Sequence, residues 1–498
     1  MAKIYRVLDE TPCPSLNAYL SMGGGEALRT AHAGGPSAVL DTIERSGLRG
    51  RGGAGFPTAV KWRSILANSS DSTLTPVIIN GAEGEPSTFK DRTILRNNPY
   101  RVIEGALVAC TVVDAEELIV CMKHGFTREW DRVVAALQEI TLEGWLDNIR
   151  VRLVAGPAAY LFGEETALLE VVGQRQPFPR VTPPWRRGLD EDQPGDVPSA
   201  TAELATSNGS VGAPALVNNV ETFANVSLIV RHGSGWFREI GTKDSPGSVV
   251  CTVVGDVQRH DVAEFPMGTP LRTVIEELGN GARSDRRIIA VLPGASSAVI
   301  GEHLLDTPLS HEGFKLAGSA LGSAGFHCID DAADPFALAF GAARFLAVES
   351  CGQCSPCKVD GLALAEMLKQ LLDGTAEDDV ESSIASRLAT VTDQARCSLA
   401  MQQQVTVGSL VRLCATATPP ANKPPATAPG GQSGFGDRIE SAALVPLIDI
   451  VDGAAVYDLD HLRKQPDWSY DVSDSGTFPA QRLQGQPVVT DPPEVNQL

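Results

Sequence analysis

The stretch Ser46–Trp62, SGLRGRGGAGFPTAVKW, combines five glycines with Arg49, Arg51 and Lys61. Glycine has no side chain to keep a ligand away from the backbone, and it reaches the positive φ angles that aim successive N–H groups into one concavity. Such a loop beside cations, just before a helix, is suited to hold a phosphate group. Its spacing matches neither the dinucleotide fingerprint nor the P-loop, so a flexible surface loop is the alternative interpretation.

Short apolar runs follow this loop and alternate with segments of helical periodicity. We predict strands at 76–80, 118–122 and 151–155, and helices at 101–112 and 130–140. This alternation predicts an α/β domain with a largely parallel sheet. Ligands of such domains bind where the strands end. Polar side chains follow two of the predicted strands, and another polar group lies further along: Glu83 and Glu85, Glu164 and Glu165, and Asn218 and Asn219 with Thr222.

The rest of the chain divides by composition. A Pro- and Arg-rich loop at 174–195 carries Phe178 and Trp185, which could stack on a ring or anchor the loop to its own domain. A small α/β unit is predicted at 248–326 and a helical unit at 335–414. A Pro/Ala/Gly linker at 419–436 precedes an acidic tail.

The most specific chemical signal is the C-x-x-C-x-x-C run of Cys351, Cys354 and Cys357, followed later by Cys397. Three closely spaced thiolates and a remote fourth are typical of a [4Fe–4S] cluster. Zinc is the main alternative, although four-cysteine zinc sites usually come as two separated pairs. Cys414 is a rival for the fourth position. The remaining cysteines stand isolated or in apolar surroundings and are interpreted as structural: Cys13, Cys110, Cys121, Cys251 and Cys328.

Charge and hydropathy exclude two kinds of partner. The 498-residue chain has a net charge of -20, which would repel a nucleic-acid backbone. It contains no apolar run of about 18 residues, so no membrane span is expected. The N-terminal residues lack the apolar core of a signal peptide. We therefore expect a cytoplasmic protein whose ten cysteines are reduced or bind metal.

Four segments of the chain resemble, in the same order, the flavin-bearing NADH-oxidising subunit of respiratory complex I, the NuoF family. They are GLRGRGGAGFPTAVKW, NGAEGEPSTFKDR, AAYLFGEETALL with VNNVET, and ESCGQCSPCK. The resemblance covers about residues 40–415. The same family supplies subunits of NAD-linked hydrogenases and formate dehydrogenases.

The resemblance implies an α/β multidomain protein with a Rossmann-like FMN domain, a ubiquitin-like domain of the SLBB type, and a C-terminal helical bundle with an iron–sulfur cluster. We expect an irregular N-terminal segment at 1–40 with one helix near 37–46, an FMN- and NADH-binding domain at 41–240, the SLBB domain at 246–328, the helical [4Fe–4S] domain at 335–415, a linker at 416–436 and an acidic C-terminal extension at 437–498.

The resemblance also implies roles for individual residues. The FMN site would consist of Gly50, Arg51, Gly52, Gly53, Lys61, Asn80, Glu83, Tyr160, Gly163, Glu164, Glu165, Asn218, Asn219 and Thr222. Three residues would contact NADH: Phe56 by stacking, Glu85 at the adenosine ribose, where its charge would repel the extra phosphate of NADPH, and Trp185. The cluster ligands would be Cys351, Cys354, Cys357 and Cys397.

The chain departs from the family pattern around the dinucleotide. Ala82 stands where the family usually has Asp, Thr182 where it has Lys, Ser64 where it has an aromatic residue, and Trp185 where it has Phe. The loss of a cation and of an aromatic stack would each cost on the order of 1 kcal/mol or more of binding free energy.

The leading hypothesis is a component of a multisubunit oxidoreductase that passes electrons between NAD(H), FMN and a [4Fe–4S] cluster. Flavin accepts the two electrons of a hydride and releases them singly, as a cluster requires. The expected partners are a thioredoxin-like [2Fe–2S] subunit and a larger iron–sulfur or catalytic subunit. Two alternatives are a subunit that has lost NADH binding and exchanges electrons with a ferredoxin-like partner, and a non-catalytic scaffold.

Overall fold

A computed structural model describes residues 3–69, 74–146, 148–189, 213–416 and 444–466 of the chain. These residues divide into two compact units. The first contains residues 4–84 and 90–249, and the second contains residues 85–89 and 250–466 together with Lys3. The predicted linker, apart from Thr416, lies outside the described residues, as does most of the predicted acidic extension.

The first unit is built on a four-stranded sheet in the order β3-β2-β1-β4. All neighbouring pairs are parallel. The strands are β1 (Val77–Gly81), β2 (Glu117–Lys123), β3 (Arg150–Gly156) and β4 (Leu216–Asn219). The predicted strands at 76–80, 118–122 and 151–155 are confirmed. Their apolar runs are buried because a parallel sheet is covered on both faces.

Helices of the first unit precede and connect these strands. Their bounds are α1 (Leu16–Ser21), α2 (Glu26–Ser46), α3 (Thr58–Leu66), α4 (Lys90–Asn97), α5 (Pro99–Val113), α6 (Thr127–Leu142), α7 (Glu165–Val172), α8 (Val220–His232) and α9 (Ser234–Arg238). Helix α5 packs against α8, and Gly105 permits this contact because a Cβ there would overlap the backbone of Phe223. The predicted helices at 101–112 and 130–140 are confirmed.

The expectation of an irregular segment at residues 1–40 is wrong. The Ser15 hydroxyl caps α1 by accepting a hydrogen bond from the Ala18 N–H (3.3 Å). Helix α2 begins at Glu26 and continues across a kink at Gly35, whose φ is 75°. The backbone is not helical at Gly35, and Pro36 begins a second helical segment, a position that suits proline. The predicted helix near 37–46 is the second half of α2.

The second unit contains a five-stranded sheet in the order β6-β5-β9-β7-β8. The strands are β5 (Ser248–Gly255), β6 (Asp261–Pro266), β7 (Ile288–Pro293), β8 (Ile300–Gly301) and β9 (Gly325–Asp330). β5 and β9 are parallel, whereas β7 is antiparallel to both β8 and β9. Two helices accompany this sheet: α10 (Leu271–Gly279) and α11 (His311–Leu316).

Helices follow this sheet in the second unit. They are α12 (Pro335–Glu349), α13 (Ser355–Asp373), α14 (Val380–Thr390), α15 (Leu399–Gln402), a π-helical turn (Gln403–Val407) and α16 (Gly408–Thr416). Helix α13 packs against both α12 and α14. These helices therefore pack together, and the cysteine motif lies in the loop between α12 and α13.

The described part of the predicted extension is folded. An antiparallel hairpin of β10 (Leu447–Val451) and β11 (Ala454–Tyr457) is followed by a 3₁₀ turn, Leu459–Arg463. Leu447 is buried in an apolar cluster with Phe89 and Val254, so the extension contributes to the core of the second unit.

Candidate functional site

The first candidate site lies where β1 and β4 end. β1 pairs with β2 on one side and with β4 on the other, so the chain order reverses between β1 and β4. Open parallel sheets bind ligands at the carboxyl ends of strands at such a reversal. The register places Asn80 beside Asn219. Two polar side chains that are far apart in the sequence therefore meet at this edge, which we call the β1/β4 edge.

The glycine loop, residues 47–57, is closed by its own backbone. The Gly50 N–H donates to the Phe56 carbonyl (2.9 Å), and the Thr58 N–H donates to the Leu48 carbonyl (3.0 Å). Gly53 has a φ of 123°, which a residue with a Cβ rarely adopts. The loop therefore has backbone hydrogen bonds of its own, which favour an ordered loop over a flexible one.

The glycine loop lies against the N-terminus of α8. The Arg51 N–H donates to the Thr222 hydroxyl (2.9 Å), and a Cβ on Gly52 would lie 3.4 Å from the Cβ of Asn219. Asn219 caps α8 by accepting from the Glu221 N–H (3.0 Å). The glycine loop and the positive end of the α8 helix dipole thus lie side by side, and this place is suited to an anion such as phosphate.

Arg51 and Lys61 are used by the protein itself. The buried Arg51 guanidinium donates to the carbonyl of Ser248 (2.9 Å), so Arg51 fixes the loop through its side chain. Lys61 Nζ donates to the carbonyl of Val217 (2.6 Å) and pairs with Glu165. Lys61 thereby ties α3 to β4 and to the first residue of α7.

Asn80 and Glu164 organise the segment after β3. The Asn80 amide donates to the carbonyl of Gly163 (2.9 Å), at the end of the 3₁₀ turn that contains the half-buried Tyr160. Glu164 caps α7 by accepting from the N–H groups of Thr166 and Ala167 (3.0 and 2.8 Å). Burial raises the pKa of Glu164 above its usual range.

A buried group of charges supports Asn219 from inside the unit. Lys90 Nζ donates to Asp91 Oδ1 (2.7 Å) and Asn219 Oδ1 (3.0 Å), and it pairs with Glu221 (3.0 Å). The Asn219 amide donates in turn to Asp91 Oδ2 (2.7 Å). Burial would lower the pKa of Lys90, but the Asp91 and Glu221 carboxylates outweigh it and raise the pKa. Burial raises the pKa of Asp91 to about 6.

Two other predicted flavin residues are also held by their own chain. Glu83 accepts from Arg92 Nε (2.8 Å) and from the Asp91 N–H (3.0 Å). In the amide orientation that satisfies both of its polar groups, Asn218 accepts from the Trp62 indole N–H (2.8 Å). Lys90 and Asp91 were not among the predicted site residues, although both stand in the segment NGAEGEPSTFKDR.

The predicted dinucleotide residues are not gathered in one unit. Phe56 is 50% exposed on the glycine loop, and Trp185 is half-buried in the Pro-rich loop. The Ala215 N–H, just before β4, donates to the Pro184 carbonyl (3.1 Å), which anchors that loop. Glu85 belongs to the second unit, where its Oε1 accepts from the Ala295 N–H (2.6 Å).

Three residues that depart from the family pattern have the following environments. Ala82 is 2% exposed and belongs to an apolar cluster with Ile78 and Phe162. The Ser64 hydroxyl donates to the Val60 carbonyl of its own helix (3.0 Å). Thr182 is half-buried in the Pro-rich loop.

The second candidate site is the cysteine loop, residues 350–357, between α12 and α13. Lys358 Nζ donates to the carbonyls of Ala347 and Ser350 (both 2.9 Å) and so satisfies acceptors at the end of α12. Cys354 is the N-cap of α13, and Cys357 lies in its first turn. The three sulfur atoms of the motif interact electrostatically with one another.

Hydrogen-bond donors surround these thiols. The Gln353 amide donates to Cys351 Sγ (3.4 Å), and the Gln403 amide donates to Cys357 Sγ (3.2 Å). Burial raises the pKa of Cys351, and it raises the pKa of Cys357 to about 11. Cys397 is half-buried just before α15. In the described ranges, no three His, Cys, Asp or Glu side chains are arranged to hold a metal ion.

The other cysteines have the surroundings expected of structural residues. Cys13, Cys110, Cys121, Cys251 and Cys328 are all buried. Burial raises the pKa of Cys414, the rival for the fourth ligand, to about 12. No disulfide joins any of the ten cysteines, all of which the structure describes.

Among the helices that the structure describes, none has the length and apolar character to cross a lipid bilayer.

Comparison with known proteins assigns both candidate sites to one family. Residues 43–228 match the model of the Nuo51 FMN-binding domain, and residues 337–417 match the NADH-ubiquinone oxidoreductase-F iron-sulfur binding region. The chain is 36% identical over 373 residues to an NADH-quinone oxidoreductase subunit of Rhizobium meliloti, an alignment that covers 73% of this chain and 83% of the relative. It is 32% identical over 409 residues to the corresponding subunit of Rhodobacter capsulatus, over 80% of this chain and 90% of that relative.

A solved structure gives the same assignment. The chain is similar, with a TM-score of 0.68 and 30% identity, to a chain of an NAD+-reducing [NiFe]-hydrogenase in the H2-reduced state, over 82% of this chain and 68% of that chain. The family expected from the four sequence segments is therefore confirmed: this chain belongs to the NuoF family of NADH-quinone oxidoreductase subunits, with its FMN-binding domain and its iron–sulfur binding region.

Proposed function

We propose that this chain is the component of a multisubunit NAD-linked oxidoreductase that binds FMN and one [4Fe–4S] cluster and connects NAD(H) to a partner iron–sulfur protein. One observation carries the proposal: the closed glycine loop meets the N-terminus of α8 beside Asn80 and Asn219. This arrangement places a glycine-rich backbone and the positive end of a helix dipole at the end of a parallel sheet, where a flavin phosphate and its ring are expected.

The residues at the β1/β4 edge fit FMN. Because Gly52 has no side chain, the loop backbone can approach Asn219 closely at this edge. We propose that Gly50, Gly52 and Gly53 hold the phosphate and that Arg51 keeps the loop in place. The flavin ring would meet the polar residues of the edge and of the turn after β3: Lys61, Asn80, Glu83, Tyr160, Gly163, Glu164, Glu165, Asn218, Asn219 and Thr222.

The cysteine loop fits a [4Fe–4S] cluster by the chemistry of its donors. Cys351 and Cys354 are close enough to act on the ionisation of Cys357, and the amide groups of Gln353 and Gln403 donate to the Cys351 and Cys357 sulfur atoms. Cys397 is proposed as the fourth ligand. The raised thiol pKa values mean that cluster binding must displace protons from buried sulfur atoms.

We propose that electrons pass between a flavin held at the β1/β4 edge and a cluster held by the cysteine loop. FMN, when bound, converts the two-electron transfer of a hydride into single-electron steps. The β1/β4 edge holds this group by its phosphate and ring, and the cysteine loop supplies the next acceptor. We propose that Phe56, Glu85 and Trp185 contact NADH.

We also propose domain boundaries, partner subunits and a cellular location for the chain. Residues 41–240 would be the FMN/NADH domain, 246–328 an SLBB-type ubiquitin-like domain, and 335–415 the helical [4Fe–4S] domain. A thioredoxin-like [2Fe–2S] subunit and a larger iron–sulfur or catalytic subunit are the proposed partners. The absence of disulfides among the ten cysteines supports a cytoplasmic location.

Ala82 gives the second candidate function its specific support. An alanine methyl in an apolar cluster replaces the family's usual carboxyl group at this position. A chain without an effective NADH clamp would exchange electrons between FMN and a ferredoxin-like partner.

An anaerobic spectral titration distinguishes the two functions. The cofactor-replete full chain is titrated with NADH while flavin absorbance is recorded, and dithionite serves as the control reductant. Stoichiometric bleaching by NADH is expected. Bleaching by dithionite alone would reject NADH as the electron donor and support the ferredoxin-like exchange.

A further inference from the structure

Gln403 contacts a proposed cluster ligand from outside the cysteine motif. Its amide nitrogen donates to Cys357 Sγ (3.2 Å) and to the Cys357 carbonyl (3.0 Å). The side chain is 1% exposed, so water does not compete for these bonds. Neither the family pattern nor the four-cysteine motif assigns Gln403 a role.

Gly361 on helix α13 leaves room for the Gln403 amide. A Cβ on Gly361, one turn after Cys357, would overlap the Gln403 amide oxygen. Gly361 is therefore the residue that lets the amide lie against the helix backbone with its N–H₂ group toward the sulfur atom. An interior helical glycine destabilises a helix relative to alanine, and this contact offers a physical reason for the glycine.

The π-helical turn that begins at Gln403 is held at its C-terminal end by hydrogen bonds to another loop. Gln403 begins the π-helical turn Gln403–Val407, and such widened turns often occur at functional sites. The Thr406 hydroxyl in this turn donates to the Ala295 carbonyl (2.9 Å), and the Val299 N–H donates to the Ser409 hydroxyl (3.0 Å). The turn is thus anchored to the loop after β7, which limits the movement of Gln403.

We propose that Gln403 is a positioning residue that raises the reduction potential of the [4Fe–4S] cluster by donating a hydrogen bond to the Cys357 sulfur. Reduction adds negative charge to a cluster and its sulfur ligands, so an N–H donor stabilises the reduced form more than the oxidised form. The inference rests on the proposed assignment of Cys357 as a cluster ligand.

The test compares two neighbouring glutamines in the full, cluster-loaded chain. Gln403→Met keeps the length of the side chain and removes the donor. Gln404→Met is the matched control. Gln404 is in the same π-helical turn, but its amide donates to the Leu388 carbonyl (2.7 Å). EPR-monitored redox titration should give a more negative cluster midpoint for Gln403→Met and an unchanged midpoint for Gln404→Met. Equal midpoints in both variants at full iron content would overturn the inference.

A second variant decides the question if Gln403→Met fails to hold iron. Gly361→Ala retains the glutamine but moves its amide away from the sulfur atom, so the midpoint should again become more negative. An unchanged midpoint in Gly361→Ala would reject the role of Gln403. Failure of the ligand assignment itself has a different signature, because Cys357→Ala would then retain the complete cluster.

Discussion

The β1/β4 edge and the cysteine loop differ in how their functional side chains are held. At the edge, Asn80, Asn219 and Lys61 already have hydrogen-bond partners within the protein. In the cysteine loop, the Gln353 and Gln403 amides face the sulfur atoms of proposed cluster ligands. We therefore expect the first site to be ordered without its cofactor and the second to be completed by iron, because metal binding is coupled to the folding of its ligands.

The largest expected effect is the loss of the cluster when one proposed ligand is removed. Cys354→Ala should abolish the iron content and the visible absorbance of the cluster, because three thiolates leave one iron without a protein ligand. The bound FMN should remain, since the edge does not use this loop. Cys414→Ala is the control and should retain the iron. Full iron in Cys354→Ala would contradict the ligand set.

The next effect concerns the charges beneath the edge. Lys90→Met would remove the cation that pairs with the buried Asp91 and Glu221 carboxylates. The free energy of unfolding should fall by about 3–5 kcal/mol, as measured by urea denaturation. Lys369→Met, which removes an exposed ion pair with Asp373, should leave it nearly unchanged. Equal stabilities of the two variants would show that the charge group does not support the edge.

A smaller effect is expected where the C-terminal segment supports the cysteine-bearing helices. Arg344 on α12 donates to the carbonyls of His461, Leu462 and Lys464 (3.2, 2.6 and 2.8 Å). Burial lowers the pKa of its guanidinium group. Arg344→Ala should release this segment at a cost of about 1–3 kcal/mol.

Limited proteolysis measures that release. Cleavage within 444–466 should be faster in Arg344→Ala than in the parent chain. Arg463→Ala is the control, because the Arg463 side chain is 87% exposed, and it should leave the rate unchanged. Identical cleavage of all three proteins would show that Arg344 does not hold the segment.

The smallest predicted effect is on the glycine loop. Gly53→Ala would place a Cβ on a residue with a φ of 123°, at a cost of about 1–3 kcal/mol. FMN affinity, measured by fluorescence quenching, should fall about tenfold, which corresponds to about 1.4 kcal/mol. Gly125→Ala is the control, since a Cβ there would meet nothing within 4 Å. Unchanged affinity in Gly53→Ala would argue against a strained, preformed cradle.

Features with a local sequence pattern could be predicted, whereas contacts between residues that are distant in the sequence could not. Strands β1 to β3 were predictable because buried parallel strands are continuous apolar runs, and the motif of Cys351, Cys354 and Cys357 was recognisable because its spacing is local. The place of Arg51 was not, since its partners Thr222 and Ser248 are distant in the sequence. Helix α1 was missed because a single serine cap marks it. The contact between Gln403 and Cys357 has no local pattern at all, because it depends on the packing of a π-helical turn against α13.

Amide hydrogen exchange of the full chain, with both cofactors removed and then restored one at a time, tests the contrast most directly. Without cofactors, the N–H groups of Gly50, Arg51 and Thr58 should already exchange slowly, because each donates within the protein. Residues 351–354 should exchange quickly until iron and sulfide rebuild the cluster, and slowly afterwards. The account would be contradicted if the glycine loop exchanged freely until FMN was added while residues 351–354 were protected in the absence of iron.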